Sequence, residues 1–412
     1  MVKVKSDIAK LEKSISNRGR RLPPSPIRKL IPFADQAKKR GVHVYHLNIG
    51  QPDIETPPEF WLAIKDYSKK VLAYGNSQGM ADYLEKLSAY YGRRGLDVKP
   101  DEIIVTTGGS EAIIFAMTII CDPGDEIIVF EPFYTNYNGF AVQAGVKLAP
   151  ITTRAEDGFH FPTAGVIEKS ITAKTRGILY CNPNNPTGTL YDSEEIEALR
   201  NLVIKHDLFL LADEVYREYI YEGEHTSVLQ LKDVEDRVIM LDSISKRFSA
   251  CGARIGNLVT KNRQVYEAAL HLGQARLCSP TLEQVGAAAA YDLRDDYFQK
   301  MTDEYRRRRD VVYDGLMKIE GTVCIRPSGA FYIMAKLPVD SAEAFAKFML
   351  TDFSYNGKTV MIAPGPGFYA TPGEGQGECR IAYVLNTDDL KQAMIVLKEG
   401  VQAYRRGSAD NS

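Results

Sequence analysis

Between residues 100 and 260 the chain repeats one pattern: short, almost uninterrupted apolar runs, most of them separated by amphipathic stretches of helix length. Strands are predicted at Ile103–Thr106, Glu126–Phe130, Lys147–Ile151, Gly177–Cys181, Leu208–Ala212, Val238–Asp242 and Asn257–Thr260. Helices are predicted at Ser110–Ile120, Ser193–His206 and Arg263–Leu272. A strand that is apolar on both faces has to be covered on both, and helices flanking a mainly parallel sheet do this. The expected class is therefore α/β.

A long helical region is predicted from Leu282 to about Ile319. Strand signals at Ala330–Lys336 and Arg380–Leu385 then enclose a helix near Ala342–Leu350 and a Gly/Pro-rich loop, Ala363–Gly377. These read as a smaller α+β domain completed by the N-terminal segment. The expected division is residues 1–60 for an arm and part of the small domain, 61–300 for the large domain and 301–412 for the rest of the small one. The first 40 residues carry 12 Lys+Arg against 3 Asp+Glu. Ser6 is placed to cap a short helix with Ile8, Leu11 and Ile15 on its apolar side, broken by Pro23, Pro24 and Pro26. Such an arm is either solvated or reaches to a partner subunit.

Composition narrows the function classes. With 51 Lys+Arg and 53 Asp+Glu the net charge is −2, which gives no support for nucleic-acid binding. The run DEYRRRRD at 303–310 has acids at helical spacing, so a solvated or intersubunit face is expected. No apolar run approaches the ~18 residues of a membrane span, and a cytoplasmic protein without membrane contact is expected. The six cysteines include no C-x-x-C, so buried thiols are expected rather than zinc or disulfides. His43 and His46, three apart in an extended segment, fall on opposite faces, and no metal site is expected.

In an open α/β sheet, ligands gather outside the carboxyl ends of the strands, so the turn after each strand matters most. Thr107-Gly108-Gly109-Ser110 opens a helix whose backbone N–H groups suit a phosphate, although no P-loop signature is present. Asn182-Pro183-Asn184-Asn185-Pro186-Thr187-Gly188 holds Asn185 rigidly toward the sheet edge. Asp213, in Asp213-Glu214-Val215-Tyr216, is either a helix cap or a buried carboxylate at a strand end. Lys246 follows Ser243 and Ser245, with Arg254 eight residues on. A lysine at reference pKa is almost wholly protonated at neutral pH, and Schiff-base formation removes that limitation. The cofactor that pairs a lysine imine, an acid for a ring nitrogen and a phosphate cradle is pyridoxal phosphate.

From about Asn48 to Asn386 the chain resembles the class I, aspartate aminotransferase-like members of the fold-type-I pyridoxal-phosphate enzymes. The motifs are NNPTG at 184–188, ADEVY at 212–216, SISK at 243–246 with Arg254 behind it, and CRIAY at 379–383. The resemblance implies a large domain with a seven-stranded, mainly parallel sheet in which the strand reached last runs opposite to the rest, plus a smaller α+β domain. It implies Lys246 as the Schiff-base lysine and proton carrier, Asp213 as partner of the pyridine nitrogen, Tyr216 and Asn185 as donors to the 3′ oxygen, and Tyr134 stacking on the ring. The phosphate would be held by Ser243, Ser245, Arg254 and the backbone of Gly109 and Ser110, with Tyr74 contributed by the neighbouring subunit of a homodimer. Arg380 and the backbone of Gly50 would take the substrate α-carboxylate, and Asn185 would also touch substrate.

The implied activity is amino transfer between an L-amino acid, of aspartate type, and a 2-oxo acid such as 2-oxoglutarate, by a ping-pong route through a lysine internal aldimine. An aromatic or neutral amino acid aminotransferase and a carbon–sulfur β-lyase on the same fold remain alternatives. A second, side-chain-reading arginine of dicarboxylate-specialised members is replaced by Gln274 in spacing, leaving Arg276 or the N-terminal arm for that role. A nicotinamide dehydrogenase is disfavoured, because no G-x-G-x-x-G follows an early strand.

Overall fold

The computed structural model describes residues 15–409. Ser6, Ile8 and Leu11, and with them the capped N-terminal helix, lie outside the described residues. In chain order the strands are β1 His43–His46, β2 Ile103–Thr107, β3 Glu126–Glu131, β4 Lys147–Thr152, β5 Thr175–Cys181, β6 Phe209–Asp213, β7 Val238–Ser243, β8 Ile255–Val259, β9 Tyr332–Lys336, β10 Lys358–Met361, β11 Ala363–Pro364 and β12 Glu378–Ala382. Seven of them form one sheet in the order β2-β8-β7-β6-β5-β3-β4. Every neighbouring pair in it is parallel except those of β8, which runs antiparallel to both β2 and β7.

The sheet divides the core. Ile104, Ile127, Val129, Leu179, Leu211, Ile239, Leu241 and Leu258 pack on one face against the helices Gly108–Ile120 and Arg263–Arg276. Ile103, Val105, Ile128, Ile178, Leu210, Val238 and Met240 line the other, where the helices Ala81–Arg93 and Ser193–His206 contribute Leu84, Leu87, Leu199 and Val203. Alternate residues of each strand thus meet apolar cover on opposite sides, which is why the runs read as continuous. Two smaller sheets stand apart: β1 pairs parallel with β10, and β12 lies between β11 and β9, antiparallel to both. The backbone N–H of Ala382 donates to Leu47 O at 2.8 Å, linking the segment after β1 to the end of β12.

Three expectations change. The region 282–319 is not one helix but two, Thr281–Ala290 and Asp295–Leu316, because Tyr291 turns inward onto the core and Asp295 and Asp296 open a new first turn. The arginine run is not simply a solvated face. Arg308 and Arg309 are 5% and 3% exposed, and they pair with Asp53 and Glu304, and with Glu222 and Asp310. Of the six cysteines, Cys121, Cys181 and Cys379 are buried, whereas Cys251, Cys278 and Cys324 are half-buried; all are free thiols. Among the described residues no helix is long and apolar enough to cross a membrane, and no cluster of His, Cys, Asp or Glu could hold a metal.

Candidate active site

Parallel strands present their carboxyl ends along one sheet edge, so Gly109 and Ser110 after β2, Tyr134 after β3, Asn185 after β5, Asp213 at the end of β6 and Lys246 after β7 arrive together. Because β8 runs the other way, the residue before its first strand position, Arg254, reaches the same edge. All of them line one cleft of about 650 Å³, as do Tyr216, Ser243 and Ser245. Gly50, after β1, and Arg380, in β12, close it from the opposite side. A surface hollow of similar volume, about 690 Å³, has Glu59, Asp292, Asp296, Arg294 and Lys300 on its rim but none of these strand ends, so chemistry rather than size singles out the first.

Lys246 sits in the short turn Ile244–Arg247, capped by Ser243. Its Nζ donates to Gly50 O at 2.8 Å and lies 3.5 Å from Cys251 Sγ. Burial lowers its basicity, and Arg380 and Arg254 lower it further against the opposing influence of Cys251. Asp213 is 4% exposed; burial pushes its carboxyl up to about 6, while Tyr137 Oη, donating to Oδ2 at 2.8 Å, and the N–H of Val215 oppose that. It caps no helix. Asn185 Nδ2 donates to Tyr216 Oη at 3.4 Å, and Tyr216 Oη meets Tyr332 Oη at 2.9 Å. Tyr134, half-buried, accepts from Asn136 at 2.8 Å.

Arg380 is buried and stacked between Tyr332 and Phe368, with its guanidinium carbon 4.5 and 4.9 Å from the two rings. Nη1 donates to Asn185 Oδ1 at 3.0 Å and Nη2 to Asn48 O at 2.6 Å, leaving Nε without a partner. At the other end of the cleft, Gly108 opens its helix at φ +73°, and a Cβ there would strike the Arg254 guanidinium. Glycine is therefore required for that guanidinium to lie over the helix N-terminus. Ser243 lines the cleft but spends its hydroxyl inward, donating to Ile255 O at 2.8 Å and accepting from Ser245 N at 3.1 Å. Ser245 Oγ, 2.8 Å from it, lies on the cleft side.

Tyr74, expected to serve a neighbouring subunit's site, and Arg276 and Gln274, weighed at the place of a side-chain-reading arginine, do not line this cleft. Tyr74, 80% exposed, lines a separate hollow of about 490 Å³ with Arg276 and Cys278. Arg276 is engaged by Ser279 Oγ, by the carbonyls of Ser77 and Val105, and by Glu111 at 3.5 Å. Gln274 is exposed on its helix. Conversely, Tyr137, Tyr332, Cys251 and Arg28 belong to the setting and were not singled out from the sequence. Tyr137, three residues beyond Tyr134, carried the only local signal.

The donor set fits pyridoxal phosphate. The cleft holds one carboxylate, Asp213, buried where a cationic ring nitrogen can meet it, and one amine, Lys246, in the same lining. It also offers a guanidinium over a helix N-terminus, where the group's two phosphate charges need both. The family model for aminotransferase class I and II matches residues 42–397. The aspartate/prephenate aminotransferase of Thermus thermophilus is 30% identical, covering 93% of this chain and 97% of that one. The aspartate aminotransferase of Sulfolobus acidocaldarius is 31% identical over 89% and 90%. The structure of an alanine aminotransferase from Pyrococcus furiosus, 31% identical, superimposes with a TM-score of 0.87, covering 94% of this chain and all of the other. Fold, cleft and kinship agree, and the chain belongs to the class I and II aminotransferases as a pyridoxal-phosphate-dependent transaminase.

Proposed function

We propose that the enzyme takes the amino group from an acidic L-amino acid, aspartate above others, and passes it to a 2-oxo acid such as 2-oxoglutarate, the two substrates occupying the same cleft in turn. The observation that carries amino transfer is Arg380: a buried guanidinium with Nε unpartnered, lining the cleft that also holds the Lys246 amine and the Asp213 carboxylate. Its planar fork suits the α-carboxylate that every such substrate brings. Relatives named for aspartate support the acidic donor.

Bound pyridoxal phosphate supplies a cationic ring that withdraws electrons from the substrate α-carbon. Asp213 would hold the proton on the ring nitrogen; at ~4 Å and an effective dielectric of ~20 that pairing is worth roughly 4 kcal/mol. Lys246 Nζ would anchor the cofactor at rest. Freed by substrate, it would move a proton between the substrate α-carbon and the cofactor C4′, and the burial that lowers its basicity suits that task. Tyr216 and Asn185 would donate to the 3′ oxygen, and Tyr134 would lie against the ring. Ser245, Arg254 and the backbone N–H groups of Gly109 and Ser110 would hold the phosphate, with Ser243 fixing Ser245. The backbone of Gly50 would flank the α-carboxylate.

The described parts of 1–60 and 301–412 would move as the smaller body against 61–300, closing over substrate and excluding water. Tyr74, exposed beside Val71 and Leu72, would complete the phosphate site of a second copy in a homodimer. The test is a half-reaction screen: purified holoenzyme is mixed with single amino acids, and conversion of bound aldehyde to amine is followed by absorbance. Aspartate and glutamate should react fastest; neutral donors reacting as fast would contradict the acidic preference.

A further inference from the structure

The cleft carries more positive charge than the cofactor and an α-carboxylate account for. Arg28, Lys246, Arg254 and Arg380 line it against a single carboxylate, Asp213. Lys246 and Asp213 serve the cofactor, Arg254 its phosphate and Arg380 the α-carboxylate, which leaves Arg28. No ion pair of Arg28 occurs among the described residues, although its neighbour Lys29 is paired with Glu343.

Arg28 is placed by a built segment. Pro26 packs so closely on Gly367 that a Cβ there would come within 2.5 Å of the proline Cβ. Ile27 packs against the cluster of Phe368, Tyr369, Ala363 and Met334. The N–H of Arg28 donates to Ser25 Oγ at 3.4 Å, and Leu30, two residues on, is buried. Phe368 is also one of the two rings that stack on Arg380. One apolar cluster therefore seats both arginines, and their spacing is set by packing rather than by a loose arm.

We propose that Arg28 binds the distal carboxylate of an acidic substrate while Arg380 holds the α-carboxylate, an inference that rests on the acidic-donor reading above. An exposed guanidinium at the mouth of a cleft gains strength as substrate displaces water around it, and its charge rejects cationic side chains. Arg276 is not available for this task, since Glu111, Ser279 and two carbonyls already engage it.

The test compares the holoenzyme with its Arg28→Met and Arg28→Lys variants. Succinate and butyrate, which lack an amine and cannot react, are titrated by calorimetry, and kcat/KM is measured for aspartate and alanine. In Arg28→Met the ratio of succinate to butyrate affinity should fall ~30–100-fold, the aspartate-to-alanine ratio of kcat/KM should fall with it, and Arg28→Lys should recover part of each. Equal weakening of succinate and butyrate, or no weakening of either, would overturn the assignment. If Arg28 governs succinate affinity in an enzyme that accepts only neutral donors, the acidic-donor reading fails while the carboxylate site at Arg28 stands.

Discussion

Arg247, the residue after Lys246, grips Asp242 from inside the core: its Nη2 lies 3.0 and 2.8 Å from the two carboxylate oxygens, and both residues are fully buried. Tyr291 Oη accepts from Nη1 at 3.1 Å, Tyr91 Oη donates to Asp242 at 2.8 Å, and the Tyr90 ring lies 4.6 Å from the guanidinium. The same carboxylate accepts the N–H of Ser243 at 2.7 Å, so the pair holds both ends of the turn that carries Lys246.

Breaking that pair from one side strands a buried charge. Arg247→Met should cost ~3–5 kcal/mol in urea unfolding, and adding Asp242→Asn should recover a large part of it. A loss that the second substitution deepens would show that the pair's charges are not the source.

Asp213 stores a pH-dependent cost. A carboxyl whose folded pKa lies above its unfolded value adds most stability below the unfolded value and loses it as pH rises toward the folded one. With the group at about 6 against an ordinary 3.8, the cofactor-free Asp213→Asn variant should gain on wild type by ~2 kcal/mol between pH 4.5 and 7.5. Glu214 and Glu218, each pushed up to about 7 by burial, are present in both proteins and cancel. A difference that is flat with pH would remove Asp213 as the origin.

At Gly108 a side chain meets both a left-handed backbone and the Arg254 guanidinium. Gly108→Ala should weaken pyridoxal phosphate binding ~10–100-fold in an equilibrium titration, with far-ultraviolet circular dichroism preserved. Unchanged affinity would place the phosphate elsewhere.

Arg380→Lys keeps the charge and loses the fork and both ring stacks. It should lower kcat/KM about 30–100-fold for every amino donor alike, because all share the α-carboxylate. A loss confined to acidic donors would make Arg380 a reader of side chains.

The large sheet was legible because burial on both faces writes itself into continuous apolar runs, as at Ile127–Phe130 and Leu210–Ala212. The strand-end motifs were legible because each is local. What escaped depends on distant segments. Tyr291 ends a helix because Arg247 and the core draw it in, and no proline or glycine marks the place. Arg308 and Arg309 are buried against Asp53, Glu222 and the carbonyls of Val384 and Pro327, none of them near in sequence. In the sequence Arg28 is only one charge of a basic arm; its place comes from Pro26 docked on Gly367 and Ile27 packed on the Phe368 cluster.

The central claim is that Lys246 carries the cofactor. Borohydride reduction of the purified holoenzyme, followed by digestion and mass spectrometry, should yield one phosphopyridoxyl group, on the peptide containing Lys246, and none in Lys246→Ala. A group trapped on another lysine, or none in the wild-type enzyme, would contradict the account.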